Sequence, residues 1–285
     1  MLALYITLGI VGGIIFLLAL FYFIAVMPRF SKKKEIKKFA SYKYAHRGLH
    51  GDGVAENSLT AFRLAAERGY GIELDVRLTR DGEVVVFHDA TLERVTSREG
   101  RVIDFDAAEL KKMRLLDTED TVPLFSEVLS LVAGRVPLLV ELKEEPGNRG
   151  VAMKALEILR DYGGEYIIES FNPLTLGDVR RKNPDIITGI LSTNYLKDKK
   201  YRKPLYFAVQ AFLTNLLCRP DFVSYNVEEY KNLGFRLFRA LFGVCSFAWT
   251  VKTEKQEDEA FKHGFDTVIF EGYKTESRNG NKDEI

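Results

Sequence analysis

At 285 residues, 46% hydrophobic and 28% charged, the chain has the composition of a globular protein with a sizeable core, as one large α/β domain or two small ones. Its net charge of +1 is unevenly divided. Residues 1–38 carry +5 and the remainder −4, which excludes a nucleic-acid footprint on the globular part. Two cysteines in dissimilar surroundings, Cys218 and Cys245, exclude a disulfide framework and agree with a reducing compartment.

The first element is an uncharged run from Leu2 to Met27, closed by Pro28. About 20 apolar residues cross a bilayer core of roughly 30 Å, so this run is long enough to span with some tilt. A cleavable signal peptide would have a shorter apolar region, about 7–15 residues, with positive charge before it. Neither holds here, and residues 1–28 read as a retained transmembrane anchor. Arg29, Lys32, Lys33, Lys34, Lys37 and Lys38 follow immediately. Basic residues stay preferentially on the cytoplasmic side. The expected protein is therefore single-pass in the cell membrane, with a basic juxtamembrane linker at 29–41 and a cytoplasmic domain at 42–285. The same basic run would also suit anionic membrane lipid.

Beyond the linker, short β-branched runs alternate with amphipathic segments of helical length. The strand candidates are 43–46, 71–76, 83–88, 137–142, 166–170, 186–191, 222–226, 244–249 and 267–272. Such alternation predicts a parallel sheet with crossover helices. Eight or nine strands over about 245 residues suit a TIM (β/α)8 barrel, typically ~250 residues, with a doubly wound open sheet as the competing fold. Only Arg77–Gly82 separates the second and third runs, too short for a crossover helix. A hairpin turning at Asp81-Gly82 would reduce nine candidates to eight and bring Glu73 and Asp75 near His88 and Asp89.

Polar residues cluster at the ends of these apolar runs: His46, Glu73 and Asp75, His88 and Asp89, Glu141 and Lys143, Ser170 and Trp249. Glu73 and Asp75 are two apart, so in a strand they share a face. With Glu141 they would form an oxygen-rich site suited to Mg²⁺ or Ca²⁺ rather than zinc. The competing account pairs each acid with a nearby Arg or Lys. His46 and His88 each precede a charged residue, and imidazoles flanking a metal-held phosphate could serve as general base and general acid. Arg47 would bind phosphate oxygens through its planar fork. His50 and His263 read as structural, one in a glycine-rich loop and one in a helix's last turn.

Taken in order, AHRG (45–48), ENS (56–58), ELDVRLTRDGEVVVFHDATLERVT (73–96), VELK (140–143), ESFNP (169–173) and AWTV (248–251) resemble the glycerophosphodiester phosphodiesterases. The resemblance covers about residues 42–273. It implies a metal-dependent TIM barrel that hydrolyses glycerophosphodiesters to an alcohol and sn-glycerol 3-phosphate. It further implies His46 and His88 as the catalytic pair, Arg47 and Lys143 as phosphate contacts and Glu73, Asp75 and Glu141 as metal ligands. Trp249 would line the glycerol side of the pocket. Glu56 and Asn57 would lie in the first loop, orienting a histidine or standing near the metal. Where the family commonly ends its last strand in Asp, this chain has Glu271.

The stretch 194–221 departs from the family pattern. A basic cluster, Lys197 to Lys203, leads into an apolar run from Leu205 to Leu217 in which Gln210, Thr214 and Asn215 form a narrow polar stripe at helical spacing. At about 13 residues the run is too short to span a bilayer but fits the headgroup zone; an ordinary buried barrel helix is the alternative. Together with the anchor it points to a lipid-derived or lysophospholipid substrate, and so to a lysophospholipase D-type activity beside the simple diester activity. A catalytically dead, membrane-tethered binding protein would show damaged catalytic positions. Both histidines, the arginine and all three carboxylates are present.

Overall fold

The computed structural model describes residues 1–145, 148 and 150–276; the last stretch of the expected domain, 277–285, lies outside the described residues. Helix α1 (Leu2–Val26) and the short α2 (Glu35–Phe39) precede strand β1 (Tyr44–Ala45). Next come α3 (Leu59–Glu67), β2 (Gly71–Leu78) and β3 (Val84–Val86). Helices α4 (Ala107–Leu110) and α5 (Phe125–Val132) lead to β4 (Leu138–Leu142). Regular alternation follows: α6 (Gly150–Leu159), β5 (Tyr166–Ser170), α7 (Pro173–Lys182) and β6 (Thr188–Ser192). Helices α8 (Pro204–Gln210) and α9 (Asn215–Cys218) then precede β7 (Phe222–Asn226). The chain continues through α10 (Leu233–Phe242), β8 (Cys245–Val251), α11 (Glu254–Lys262) and β9 (Thr267–Phe270).

All strands but β3 run parallel, and β1 pairs with both β2 and β9, so eight strands close into a TIM barrel. Strand β3 lies antiparallel on β2, with Val76 opposite Val86, through the Asp81-Gly82 turn that the short spacing predicted. Helix starts are satisfied locally: the Ser58 hydroxyl accepts from Ala61 N, and Asn172, Asn232 and Thr253 cap α7, α10 and α11 in the same way.

The barrel interior has a layered order that follows from the two-residue period of a strand. Tyr44, Leu139, Ile167, Phe222, Phe247 and Ile269 form one apolar cluster inside the lower barrel. Two residues further along their strands stand His46, Glu141, Glu169, Ser224, Trp249 and Glu271. The same inward line is thus apolar below and polar above. Gly189 makes room for the lower layer, since a Cβ there would lie 2.2 Å from the Phe222 ring.

Residues 29–41 are part of this packing. Ile36, Phe39 and Ala40 are buried against the lower layer, and the Tyr44 hydroxyl donates to Phe39 O at 3.1 Å. Arg29 Nε donates to Asp221 Oδ1 at 2.6 Å and Arg29 Nη2 to Ile186 O at 2.7 Å, while Asp221 Oδ2 accepts from Thr188 N at 2.9 Å. Burial pushes the Asp221 carboxyl up, and Arg29 opposes it. Above this joint α1 stands with most of its side chains exposed; only its last turn is built in, with Ala25 and Val26 buried. Its 25 residues measure about 38 Å at 1.5 Å per residue, more than a hydrocarbon core.

The apolar run at 205–217 is not one helix. It breaks between α8 and α9, where Phe212 takes a left-handed φ of 60° and is buried against Phe238, ring centroids 4.8 Å apart.

Arg29→Ala would leave Asp221 buried without its cation. Removing one partner of a buried pair costs roughly 3–5 kcal/mol, so thermal unfolding in detergent should show a markedly lower midpoint than for a Lys34→Ala control.

Candidate active site

The first loop is shaped by residues in unusual backbone conformations. Arg47 and Gly48, directly after β1, have φ values of 56° and 78°, and Asn57 has 54°. Non-glycine residues with positive φ are uncommon and gather at functional sites. Gly48 cannot be replaced without movement, because a Cβ there would lie 2.8 Å from that of Ala61. This turn lets Arg47 N donate to Glu73 Oε2 at 2.8 Å, while Asn57 N donates to Arg47 O at 2.9 Å. The Asn57 amide reaches further in and donates to Asp75 Oδ2 at 2.9 Å.

Strands β2 and β4 pair with Asp75 opposite Glu141. Glu73, Asp75 and Glu141 are all buried, and each offers an oxygen within 4.8 Å of the others. Lys143 sits beside them, its Nζ 2.7 Å from Glu141 Oε1 and 3.1 Å from Asp75 Oδ1. Burial would raise Asp75, but Lys143, His88, Arg47 and the Asn57 amide hold its carboxyl far below the usual range. Burial and the neighbouring acids push Glu73 well above it. Glu141 rises to about 7 through burial and Asp75, with Lys143 opposing. At Glu73 and Glu141, burial and the repulsion between neighbouring acids thus outweigh the protein's own cations. Asp75 Oδ1 and Glu141 Oε1 also lack a well-directed hydrogen bond among the described residues. An all-oxygen, under-neutralised trio is the donor set of a hard divalent cation.

Two histidines flank the trio. His46 Nδ1 lies 2.6 Å from Glu271 Oε2, and its Nε2 is 4.0 Å from Glu73 Oε2. His88 follows β3; its Nδ1 is 2.6 Å from Asp89 Oδ1, and its carbonyl accepts from Arg77 Nε at 3.0 Å and Nη2 at 2.8 Å. Each ring thus has Nδ1 turned to a carboxylate, which leaves Nε2 for other work. Burial lowers both rings, His88 to about 4 with Lys143 and Arg47 adding to the effect. Glu56 does not touch the trio. It accepts from Arg47 Nη1 at 2.8 Å and from Arg94 Nη1 at 2.8 Å, and Arg94 also pairs with Asp89. One arginine therefore ties the His46 loop to the His88 loop.

These groups share a pocket of about 160 Å³ lined by His46, Arg47, Glu73, His88, Glu141, Lys143 and Trp249. Trp249 meets Phe171 edge-on, 5.6 Å between ring centroids.

Three participants were missed or misjudged in the sequence. Glu169 lines the pocket, pairs in register with Glu141, and accepts from Ser224 Oγ at 2.5 Å; burial and Glu141 push its carboxyl well up. An acid inside the apolar run YIIES was the available signal. His50 is not remote: its Nε2 lies 3.6 Å from Glu271 Oε2. Glu271 is hydrogen-bonded to His46 with His50 beside it, the two imidazoles hold its carboxyl far below the usual range, and Lys252 Nζ is 2.9 Å from its other oxygen. His263 stands apart, stacked on Tyr230 at 4.0 Å.

A family model described as the glycerophosphoryl diester phosphodiesterase family matches residues 46–273. The chain belongs to that family. A glycerophosphodiester phosphodiesterase of Caldanaerobacter subterraneus is 32% identical over 239 residues, 79% of this chain and 91% of its own. The bovine glycerophosphodiester phosphodiesterase 1 is 28% identical over 284 residues, 85% and 81% of the two chains. Among solved structures, a phosphodiesterase of Oleispira antarctica in complex with the product sn-glycerol-3-phosphate superposes with a TM-score of 0.69 at 23% identity, covering 82% of this chain and 94% of that one. A glycerophosphodiester phosphodiesterase of Thermotoga maritima gives 0.61 at 27% identity, covering 80% and 94%. The chain is accordingly an enzyme of the phosphoric diester hydrolase class. The family is generally dependent on a divalent metal, and the Glu73, Asp75 and Glu141 cluster is a fitting place for one.

Asn57→Ala would strip Asp75 of a buried hydrogen bond and cost roughly 2 kcal/mol. Asn57→Asp should cost more, because it sets a fourth carboxylate against Asp75. Urea unfolding of the three proteins without divalent metal checks that order.

Proposed function

We propose that this enzyme hydrolyses glycerophosphodiesters to an alcohol and sn-glycerol 3-phosphate, working from the cytoplasmic face of a membrane. The observation that carries the reading is the convergence of three under-neutralised carboxylates, two histidines, an arginine and a lysine on one small pocket in a chain of this family.

Glu73, Asp75 and Glu141 would hold a divalent cation, Mg²⁺ or Ca²⁺, which would supply charge neutralisation and Lewis acidity at the phosphate and its attacking hydroxyl. Arg47 and Lys143 supply the protein's own positive charge to the non-bridging oxygens. Arg47 is held for that role by Glu56, and Lys143 by Glu141 and the Phe171 face 5.9 Å away. Of His46 and His88, one takes the proton of the attacking 2-hydroxyl or water and the other gives a proton to the leaving alcohol. Glu271 and Asp89 fix the two rings with Nε2 free, the orientation such proton transfer needs. Trp249 and Phe171 form the apolar wall against which glycerol lies.

The membrane placement rests on α1. Its end is not a loose leader: Asn215 Nδ2 donates to Val26 O at 3.2 Å and Arg219 Nη1 to Met27 O at 3.0 Å. A segment so joined to the barrel fits a retained single-pass anchor, and the basic residues after it support a cytoplasmic barrel.

His46→Ala and His88→Ala should each lower kcat on glycerophosphocholine about 10²- to 10⁴-fold. Glu73→Gln should abolish divalent-metal binding in calorimetry, and chelator should silence the wild type until metal is returned. Near-normal turnover in both histidine variants would overturn the mechanism.

A further inference from the structure

The edge of the His46 ring turned away from the carboxylate trio has metal-binding atoms of its own. Glu73 stands on the Nε2 side at 4.0 Å, whereas Nδ1 faces Glu271 Oε2 at 2.6 Å. His50 Nε2 comes to 3.6 Å from the same oxygen, too far for a hydrogen bond, and has no hydrogen-bond partner among the described residues. His46, His50 and Glu271 thus offer two ring nitrogens and a carboxylate oxygen within 4.8 Å of one another. The backbone holds them there. His46 N donates to Phe270 O at 2.9 Å, which sets the end of β1 beside the end of β9 that carries Glu271. His50 N donates to Gly48 O at 3.0 Å, and Gly51 and Val54 close the next turn with paired bonds of 3.0 and 2.8 Å. An aspartate at 271 would fall one methylene short of both rings. Lys252 lies on the other carboxylate oxygen and is mostly exposed, so it can give way to an ion.

Two imidazoles and one carboxylate, with a fourth position left for water, are a ligand set for zinc or a similar transition ion; Mg²⁺ and Ca²⁺ favour the all-oxygen trio. Ligands at zinc distances stand roughly 3.4 Å apart in a tetrahedron, so the hydrogen-bonded pair has to open by only about 0.8 Å.

We infer that His46, His50 and Glu271 form an inhibitory site for Zn²⁺, separate from the acid trio. The inhibitory part rests on the proton-transfer role given to His46 above; the binding part does not. In the metal-free ring Nδ1–H is held by Glu271, and Nε2 can gain a proton and lose it again. Zinc on Nδ1 takes over that nitrogen's lone pair, and the ring's one proton moves to Nε2. Nε2 then has no lone pair with which to accept a proton, and giving up the one it holds would leave an imidazolate. The two states that a general acid or a general base must visit are reduced to one.

The full-length protein in detergent, in excess Mg²⁺, is titrated with Zn²⁺ in calorimetry and with Co²⁺ followed by its visible absorption. Turnover of glycerophosphocholine is read as the zinc concentration that halves each protein's own zinc-free rate. The wild type should bind Zn²⁺ that Mg²⁺ does not displace, show the visible band of four-coordinate Co²⁺, and lose turnover as the site fills. His50→Ala should raise the zinc Kd and the half-inhibiting concentration together, on the order of a hundredfold. His50→Gln serves if that protein does not fold, and Glu271→Asp should shift both values in the same direction. No zinc bound in excess Mg²⁺ would overturn the inference. So would inhibition that Mg²⁺ relieves and the His50 variants leave unchanged, which would put the ion on the trio. Zinc held through His50 with turnover intact would overturn it too, and His46→Ala then separates the two readings. An inactive His46→Ala leaves the proton-transfer role standing without the inhibitory site; an active one removes that role as well.

Discussion

Three carboxylates buried side by side at the mouth of a barrel repel one another and give up hydration, and most of the surrounding structure can be understood as an answer to that. An isolated buried charge costs several kcal/mol. Glu73, Asp75 and Glu141 are met by the Arg47 N–H and guanidinium and the Asn57 amide, all from the loop after β1, and by Lys143 from the end of β4. The left-handed turn at Arg47 and Gly48 exists to aim the N–H of Arg47 at Glu73. The left-handed Asn57 aims its amide at Asp75. Strain in one loop is thus tied to electrostatics on one strand, β2. The neutralisation is still incomplete, as the raised Glu73 and Glu141 show, and an incomplete balance is what leaves room for a divalent cation.

The histidines are placed by a second tier of charges. Arg94 spans Glu56 and Asp89, so the loop after β1 and the loop after β3 share one guanidinium. Arg77 reaches out of β2 to hold the His88 carbonyl, and is itself paired with Glu145 at 2.8 Å. The hairpin β2–β3 therefore does not simply add a strand. It brings His88 across to the carboxylates from outside the barrel, which no strand of the closed sheet could do.

The architecture was largely legible because strand alternation and helix stops are local signals. The E-x-D pair was legible because a strand's period puts both acids on one face, and the hairpin because six residues cannot hold a crossover. What escaped depends on distant register. Glu169 reads as one acid in an apolar strand until β5 is laid against β4. His50 sits in a loop whose path is set by Gly48, and its partner Glu271 comes from the other end of the chain. The basic stretch 29–41 reads as linker because its charges dominate. Its contribution to packing comes from Ile36 and Phe39, two apolar residues three apart, too few to signal a buried face in sequence.

That stretch also determines how α1 and the barrel are related. A flexible tether would leave the barrel free to tumble relative to α1. Here Arg29 is fixed to Asp221 and to the Ile186 carbonyl, Phe30 and Phe23 both pack on Phe242 of α10, and α9 holds the last turn of α1. The joint is made from several directions at once, so the angle between α1 and the barrel is set by packing rather than by a hinge. Helix α10 carries Leu233, Leu237 and Leu241, exposed and spaced by four along one stripe, close to where α1 is joined. Gly234 lets it approach α8, since a Cβ there would lie 2.4 Å from Gln210 O. Helices α8, α9 and α10 thus bring their bare apolar side chains together at the flank of the barrel that is joined to α1. A joint made in this way fixes the direction in which α1 leaves the barrel, and with it the position of the exposed leucines of α9 and α10 relative to that helix.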